Sequence, residues 1–288
     1  MKKTLTASVV IAALALVFAG RVAGTPGLAA MRADQLRTIY FSATDSKGGF
    51  VTDLTAADLA VKEGGKVYPI AGVKSATEPM QVSILVDDGG QGIFQQGLAS
   101  FLNATMGHGQ FAISMLTPQV QKIANYIEDS DGLKAALMRL GQRAKITPDG
   151  EQIIEGVGEA AKELHQRKAA RPVIVVLTLN GEMVLSDRAD PALNDLKASG
   201  ASLNVVYITS IQLGKVLGDG PKQSGGIIEQ AGSGPAITGA VTKISDNLMH
   251  QYVLTYNIPD GTKLNEKLQL TTTRKGITII APSRLPDK

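Results

Sequence analysis

The sequence predicts an α/β fold: a Rossmann-like, mostly parallel sheet with β segments on its N- and C-terminal sides. Three observations predict it. Between residues 80 and 250, short apolar strands alternate with amphipathic helices. The run Pro172-Val173-Ile174-Val175-Val176-Leu177-Thr178 is apolar at consecutive positions, as in a strand covered on both faces. Residues 36–76 and 251–283 instead read as strands broken by turns, too few on either side to stand alone. The two flanks are therefore expected to pair into a small β-sandwich, with the α/β domain (80–250) inserted between them.

The chain opens with Lys2 and Lys3, a charge-free apolar run over 5–20, then Arg21 and the small triplet Val22-Ala23-Gly24. This is the layout of a secretory signal peptide over 1–24. The run is shorter than the ~20 residues of a membrane span, which favours a cleaved signal over a retained anchor. No cysteine follows it, so a lipoprotein anchor is excluded. The expected product is exported, periplasmic or extracellular, with no stable membrane span.

Charge confirms that the export signal distorts the composition. The formal charge of +3 falls to zero once Lys2, Lys3 and Arg21 are removed. No basic surface of nucleic-acid type remains. The densest cluster, Arg167-Lys168 with Arg171, reads as a helix C-terminus. With 44% hydrophobic and 19% charged residues, the chain can bury a core. The absence of cysteine excludes thiol nucleophiles, cysteine-ligated zinc, iron–sulfur clusters and disulfides. The three histidines are scattered: His108 and His165 have no evident partner and read as surface residues, and His250, before the closing strand, reads as structural.

In the first flank, residues 38–43 are β-prone and 45–49 form a turn cluster. Residues 54–59 read as a one-turn helix with Thr55 as N-cap. Gly64-Gly65 reads as a hairpin before a strand over 67–70. In the α/β block, strands are expected over 82–86, 111–116, 120–127, 172–178 and 202–208. Helices are expected over 94–105, 131–140, 152–167, 191–198 and 237–249. Strands over 252–256, 267–273 and 277–280 close the chain.

Ligands of open parallel sheets bind at loops beyond the strand carboxyl ends, here the one after Val86. Gly90-Gln91-Gly92 resembles part of a dinucleotide loop, but the third glycine position holds Gln95. Asp87-Asp88 would also repel a pyrophosphate, and no P-loop lysine motif occurs. The alternative is a strand-end carboxylate that holds a hard divalent cation.

Longer motifs resemble a known family. Thr44-Asp45-Ser46-Lys47-Gly48, the run Val51-Thr52-Asp53-Leu54-Thr55-Ala56-Ala57-Asp58-Leu59-Ala60-Val61-Lys62-Glu63, and the closing Gln251-Tyr252-Val253-Leu254-Thr255-Tyr256 resemble the von Willebrand factor A-like proteins of the exported, acidobacterial VWFA-related type. The strand over 82–87 matches the first strand of the A domain. The resemblance spans roughly residues 36–281. It implies a metal site built on an Asp-x-Ser-x-Ser loop, a distant Thr and an Asp ending a later strand. Asp87 stands at the first Asp, Gly89 and Gln91 at the two serines, Glu151 near the Thr and Asn180 near the later Asp. Gly89 offers no side-chain oxygen and Asn180 no charge, so the implied site is degenerate and expected to be unoccupied. Calcium would suit such a set better than magnesium, which demands octahedral geometry.

Other motifs carry plainer readings. Asp129-Ser130-Asp131-Gly132 lacks an EF-hand continuation and reads as a helix N-cap at Ser130 or Asp131. Ser224-Gly225-Gly226 and Gly232-Ser233-Gly234 read as Gly-rich loops. The Asn103-Ala104-Thr105 sequon falls inside a helix. Tyr252 and Tyr256 share one strand face, directed to the sandwich core. The resemblance implies a non-enzymatic module that binds a protein partner through the loops Asp87 to Gly92, Ala144 to Gln152 and Asn180 to Asp187, among them Asp88, Gly89, Gly90 and Asp149. A metal-assisted exported hydrolase and a purely structural envelope protein are the alternatives.

Overall fold

The computed structural model describes residues 35–140, 150–179, 181–183, 185–208, 213–232 and 234–286. The signal segment, Asp149, Asn180 and Ser233 lie outside them. Strand β1 (Gln35–Asp45) buries Ile39, Phe41 and Ala43 on one face and pairs antiparallel with β11 (Tyr252–Ile258) from the far end of the chain. On either side lie β13 (Ile277–Ile280) and β4 (Ile70–Ser75), giving the order β13-β1-β11-β4. A second sheet pairs β12 (Leu268–Thr272), β2 (Leu59–Glu63) and β3 (Lys66–Tyr68). Phe41, Val61, Leu254 and Tyr256 fill the space between the sheets. The two flanks thus pair into a sandwich, as the sequence predicts.

Turn chemistry sets the sandwich's connections. Gly64 and Gly65, at φ of +56° and +83°, close the β2–β3 hairpin in a conformation that favours glycine. The strand expected over 67–70 is broken at Pro69, which has no N–H to continue a ladder. The chain changes sheets there, and the Pro69 carbonyl accepts the Asn257 N–H at 3.1 Å. The expected helical turn is a 3₁₀ turn, Ala56–Asp58. The Asp58 carboxylate accepts both the N–H and the hydroxyl of Thr55, at 2.8 and 2.7 Å.

The α/β part of the chain contains β5 (Met80–Asp87), α1 (Gln95–Thr105), β6 (Gly109–Met115), β7 (Gln121–Ile127), α2 (Ser130–Leu140), α3 (Glu151–Gln166) and β8 (Arg171–Thr178). It continues with α4 (Ala189–Ser199), β9 (Ser202–Tyr207), α5 (Lys215–Ser224), β10 (Ile228–Gln230) and α6 (Gly234–Met249). The sheet order is β10-β9-β8-β5-β6-β7, parallel except for the antiparallel edge strand β7. Strand period two divides the core. Val82, Ile84 and Val86 pack with Phe101 of α1 and Val241 of α6, whereas Leu85, Ile174 and Val176 pack with Val157 of α3 and Leu196 of α4. Each such buried side chain contributes roughly 1.5–3 kcal/mol.

Helix α5 and strand β10 escape the sequence pattern. Lys215–Ser224 holds Gly218, Gly220 and an internal Pro221, which oppose helix formation locally, yet Val216 and Leu217 are fully buried. Ser224-Gly225-Gly226 is correspondingly the end of a helix, with Gly225 as a left-handed C-cap. The Ser224 hydroxyl accepts the Leu203 N–H at 2.9 Å. A second correction concerns α2, which is capped by Asp129 and not by Ser130 or Asp131. Its Oδ1 accepts the Gly132 N–H at 2.6 Å. No helix among the described residues is long and apolar enough to cross a membrane.

Candidate functional site

Asp87 ends the central strand β5, between β6 and β8, and is 1% exposed. Its Oδ1 accepts the Thr117 hydroxyl at 2.5 Å and its Oδ2 the Thr178 hydroxyl at 3.1 Å. Thr117 follows β6 and Thr178 closes β8. The Thr178 hydroxyl in turn accepts the Gly181 N–H at 3.2 Å. The Asp87 carbonyl accepts the Leu179 N–H at 3.0 Å. One buried carboxylate thereby ties together the loops after three adjacent strands.

Asp88 folds its own loop. Its carboxylate accepts the Gly90 and Gly92 N–H groups at 2.9 and 2.7 Å, and its carbonyl accepts that of Gln91 at 3.1 Å. Gly89, Gly90 and Gly92 take φ of +59°, +79° and +68°, which side chains rarely adopt. Glycine at 89, where the resembled pattern has serine, therefore belongs to a different loop conformation. Gln91 is exposed at the tip.

Glu151 is the first residue of α3. It accepts the Ser186 hydroxyl at 2.9 Å and faces the Arg188 guanidinium at 3.6 Å. The structure thus gathers Asp87, Asp88, Gly89 and Gly90, sets Gln91 on the surface and gives Glu151 other partners. Among the described residues, no three His, Cys, Asp or Glu side chains cluster as metal ligands. The described donors fit a divalent ion poorly: the oxygens of Asp87 and Asp88 accept protein donors, and Gln91 is exposed at the loop tip.

Sequence reasoning missed three polar residues here. Thr117 and Thr178 are hydroxyls at strand ends, the one signal that could have found them. Glu182, on the loop after β8, is 7% exposed and accepts the Val216 and Leu217 N–H groups at 2.6 and 2.7 Å. It caps α5 with a carboxylate from another segment. Gly214, the N-cap, leaves room for it: a Cβ there would stand 2.2 Å from the Glu182 Oε1. Burial raises the Glu182 pKa to about 7, partly offset by the two backbone N–H groups. Beside this anchor, Met183 and Leu185 are 42% and 94% exposed, and Ile93 of the β5–α1 loop is 36% exposed.

A six-stranded, mostly parallel sheet with helices on both faces and loops clustered at its carboxyl end defines a Rossmann-like α/β protein. Among solved structures, the chain is similar to a von Willebrand factor type A protein from Catenulispora acidiphila: TM-score 0.48, 10% identity, 90% of this chain and 76% of that one. It is also similar to the SpRpn10 VWA domain, at TM-score 0.44 and 11% identity over 58% of this chain and 95% of that one. A third is proximal thread matrix protein 1 from the mussel byssus with a zinc-occupied MIDAS motif, at TM-score 0.49 and 10% identity. There the match covers 65% of this chain and about half, 49%, of the mussel protein. These identities bear on fold alone. No protein-family model matches the chain, and no curated protein matches it in sequence.

Proposed function

We propose that this chain is a non-enzymatic binding module, exported by its N-terminal segment, that docks a protein partner on the loops at the carboxyl end of its sheet without a divalent cation. The observation that carries the reading is the exposed trio Ile93, Met183 and Leu185 on the loops after β5 and β8. The two loops follow neighbouring strands of the sheet, and exposed apolar side chains that form a contiguous patch mark interaction surfaces. The loops beneath them are held by Asp87, Asp88 and Glu182, so little ordering entropy is lost on binding. A hydrolytic centre would need an open coordination position and a placed water. Asp87 instead spends both oxygens on threonine hydroxyls. The domain division that accompanies this reading is one β module from 36–76 and 251–283 around an α/β domain over 80–250.

The test replaces Leu185 with a photocrosslinking amino acid in the full chain, irradiated in the envelope fraction with and without chelator. A discrete crosslinked protein is expected in both conditions, abolished by Met183→Asp or Ile93→Asp. Crosslinking that requires divalent ions would refute the metal-free mode. A purely structural role would leave no crosslink at all. Calorimetry should likewise give no heat with calcium, magnesium or manganese, and no shift in Tm. N-terminal sequencing of the exported protein should begin at Thr25.

A further inference from the structure

A cavity of about 200 Å³ lies at the other end of the sheet, where the starts of β8 and β9 meet β1 and the C-terminal segment around Leu285. Three cations line it, Arg171, Lys197 and Arg284, and no carboxylate among the described residues does. Lys197 and Arg284 share Glu266, the lysine at 2.8 Å. Arg171 differs. It is 4% exposed and forms no ion pair with a carboxylate among the described residues. Its Nε and Nη2 donate to the Gln251 Oε1 at 3.3 and 3.0 Å, and Nη2 also donates to the Leu248 carbonyl. Its guanidinium lies 5.6 Å from the Tyr40 ring. Nη1 has no protein acceptor among the described residues. Burial lowers the Arg171 pKa, and the Tyr40 and Glu78 charges only partly oppose this.

A buried cation held by neutral acceptors favours an anion beside it, because neutral groups replace only part of its lost hydration. We infer that this cavity binds a small monocarboxylate with an apolar body, its carboxylate paired with Arg171. With Nε and Nη2 committed to Gln251 and Leu248, Nη1 is left to donate a charge-assisted hydrogen bond to a carboxylate oxygen. The apolar body lies against Leu193 and Leu196, which line the same cavity. An apolar cavity of about 150 Å³ admits benzene, so this volume suits a ring-sized body with a carboxylate attached. A phosphate dianion would leave the apolar wall of Leu193 and Leu196 uncovered. The ligand would bridge β1 of the sandwich and β8 of the α/β sheet, and its occupancy would stabilise their junction by mass action.

The full chain is titrated with benzoate, with benzamide as its neutral isostere, and with inorganic phosphate, by calorimetry and thermal denaturation. Benzoate should bind and raise Tm, with benzamide and phosphate at least about tenfold weaker, the scale of one charge-assisted pair. Ser202→Leu, which fills the cavity from the start of β9, and Arg171→Met should each weaken benzoate by about tenfold or more. Absence of benzoate binding, equal binding of benzamide, tighter binding of phosphate, or unchanged affinity in Ser202→Leu would each overturn the inference. Should Arg171→Met fail to fold, Ser202→Leu still tests the location and benzamide still tests the charge.

Discussion

Replacing Glu63 by alanine is expected to destabilise the protein by about 3–5 kcal/mol, the cost of removing one partner from a buried ion pair. Glu63 is 2% exposed at the end of β2, under the Gly64-Gly65 hairpin. Its Oε1 accepts the Arg37 Nη1 at 3.0 Å and the Asn265 N–H at 2.7 Å, and its Oε2 accepts the Tyr256 hydroxyl at 2.6 Å. The alanine variant leaves a phenol and a backbone N–H inside the sandwich with no acceptor, and the Arg37 guanidinium with only the Pro286 carbonyl. Burial, and next the carboxylate itself, hold the Tyr256 pKa well above the ordinary tyrosine range, so the phenol remains the donor. Tyr256→Phe removes a single donor and should cost less, about 1–3 kcal/mol. The double variant should fall short of the sum, because both substitutions break one network. At about 2–4 °C per kcal/mol for a chain of this size, Glu63→Ala should lower Tm by roughly 10 °C. Urea denaturation giving less than about 1 kcal/mol would show that solvent or rearranged side chains replace the carboxylate.

The same network explains the two sequence motifs that flank the α/β domain. Tyr256 of the closing motif bonds Glu63 of the opening one. The Tyr252 hydroxyl accepts the Leu54 N–H at 3.0 Å and donates to the Val51 carbonyl at 2.9 Å, pinning the 51–54 segment. The sequence shows both tyrosines on one strand face, because period two is a local property. It does not show their hydroxyl partners, which lie 193 and 198 positions away. Glu63 beside a Gly-Gly turn looks like a surface charge until the opposite flank covers it. Asp87 was legible as a carboxylate ending an apolar strand. Its partners were not, since Thr117 and Thr178 are 30 and 91 positions distant. Helix α5 was hidden by its own composition. Two glycines and a proline oppose helix formation locally, and the helix is held by its buried Val216 and Leu217 and by a carboxylate from another loop.

Stability should fall as pH rises from about 4.5 to about 7, and Glu182 is the residue responsible. Its pKa is about 7 in the folded protein, against an ordinary 4.5. Between these values the native state holds more protons than the unfolded state, so unfolding free energy decreases with pH and levels off above the folded pKa. The full difference corresponds to roughly 3 kcal/mol, on the scale of 1.36 kcal/mol per pH unit. Carboxylates whose pKa is lowered, such as Glu78 and Glu266, act in the opposite sense and below this window. The measurement is Tm at pH 5 and pH 8 for the native chain and for Glu182→Gln, which mimics the protonated acid at every pH. A declining Tm is expected in the native chain, and a flat one across that window in the variant. Equal slopes in the two proteins would mean that Glu182 titrates normally and that other groups set the pH dependence. The consequence for binding follows from position, because Glu182 immediately precedes Met183 on the loop that also carries Leu185. Ionisation deepens its desolvation cost while strengthening its two bonds to the start of α5. The energy of that loop therefore varies with pH through one buried carboxylate.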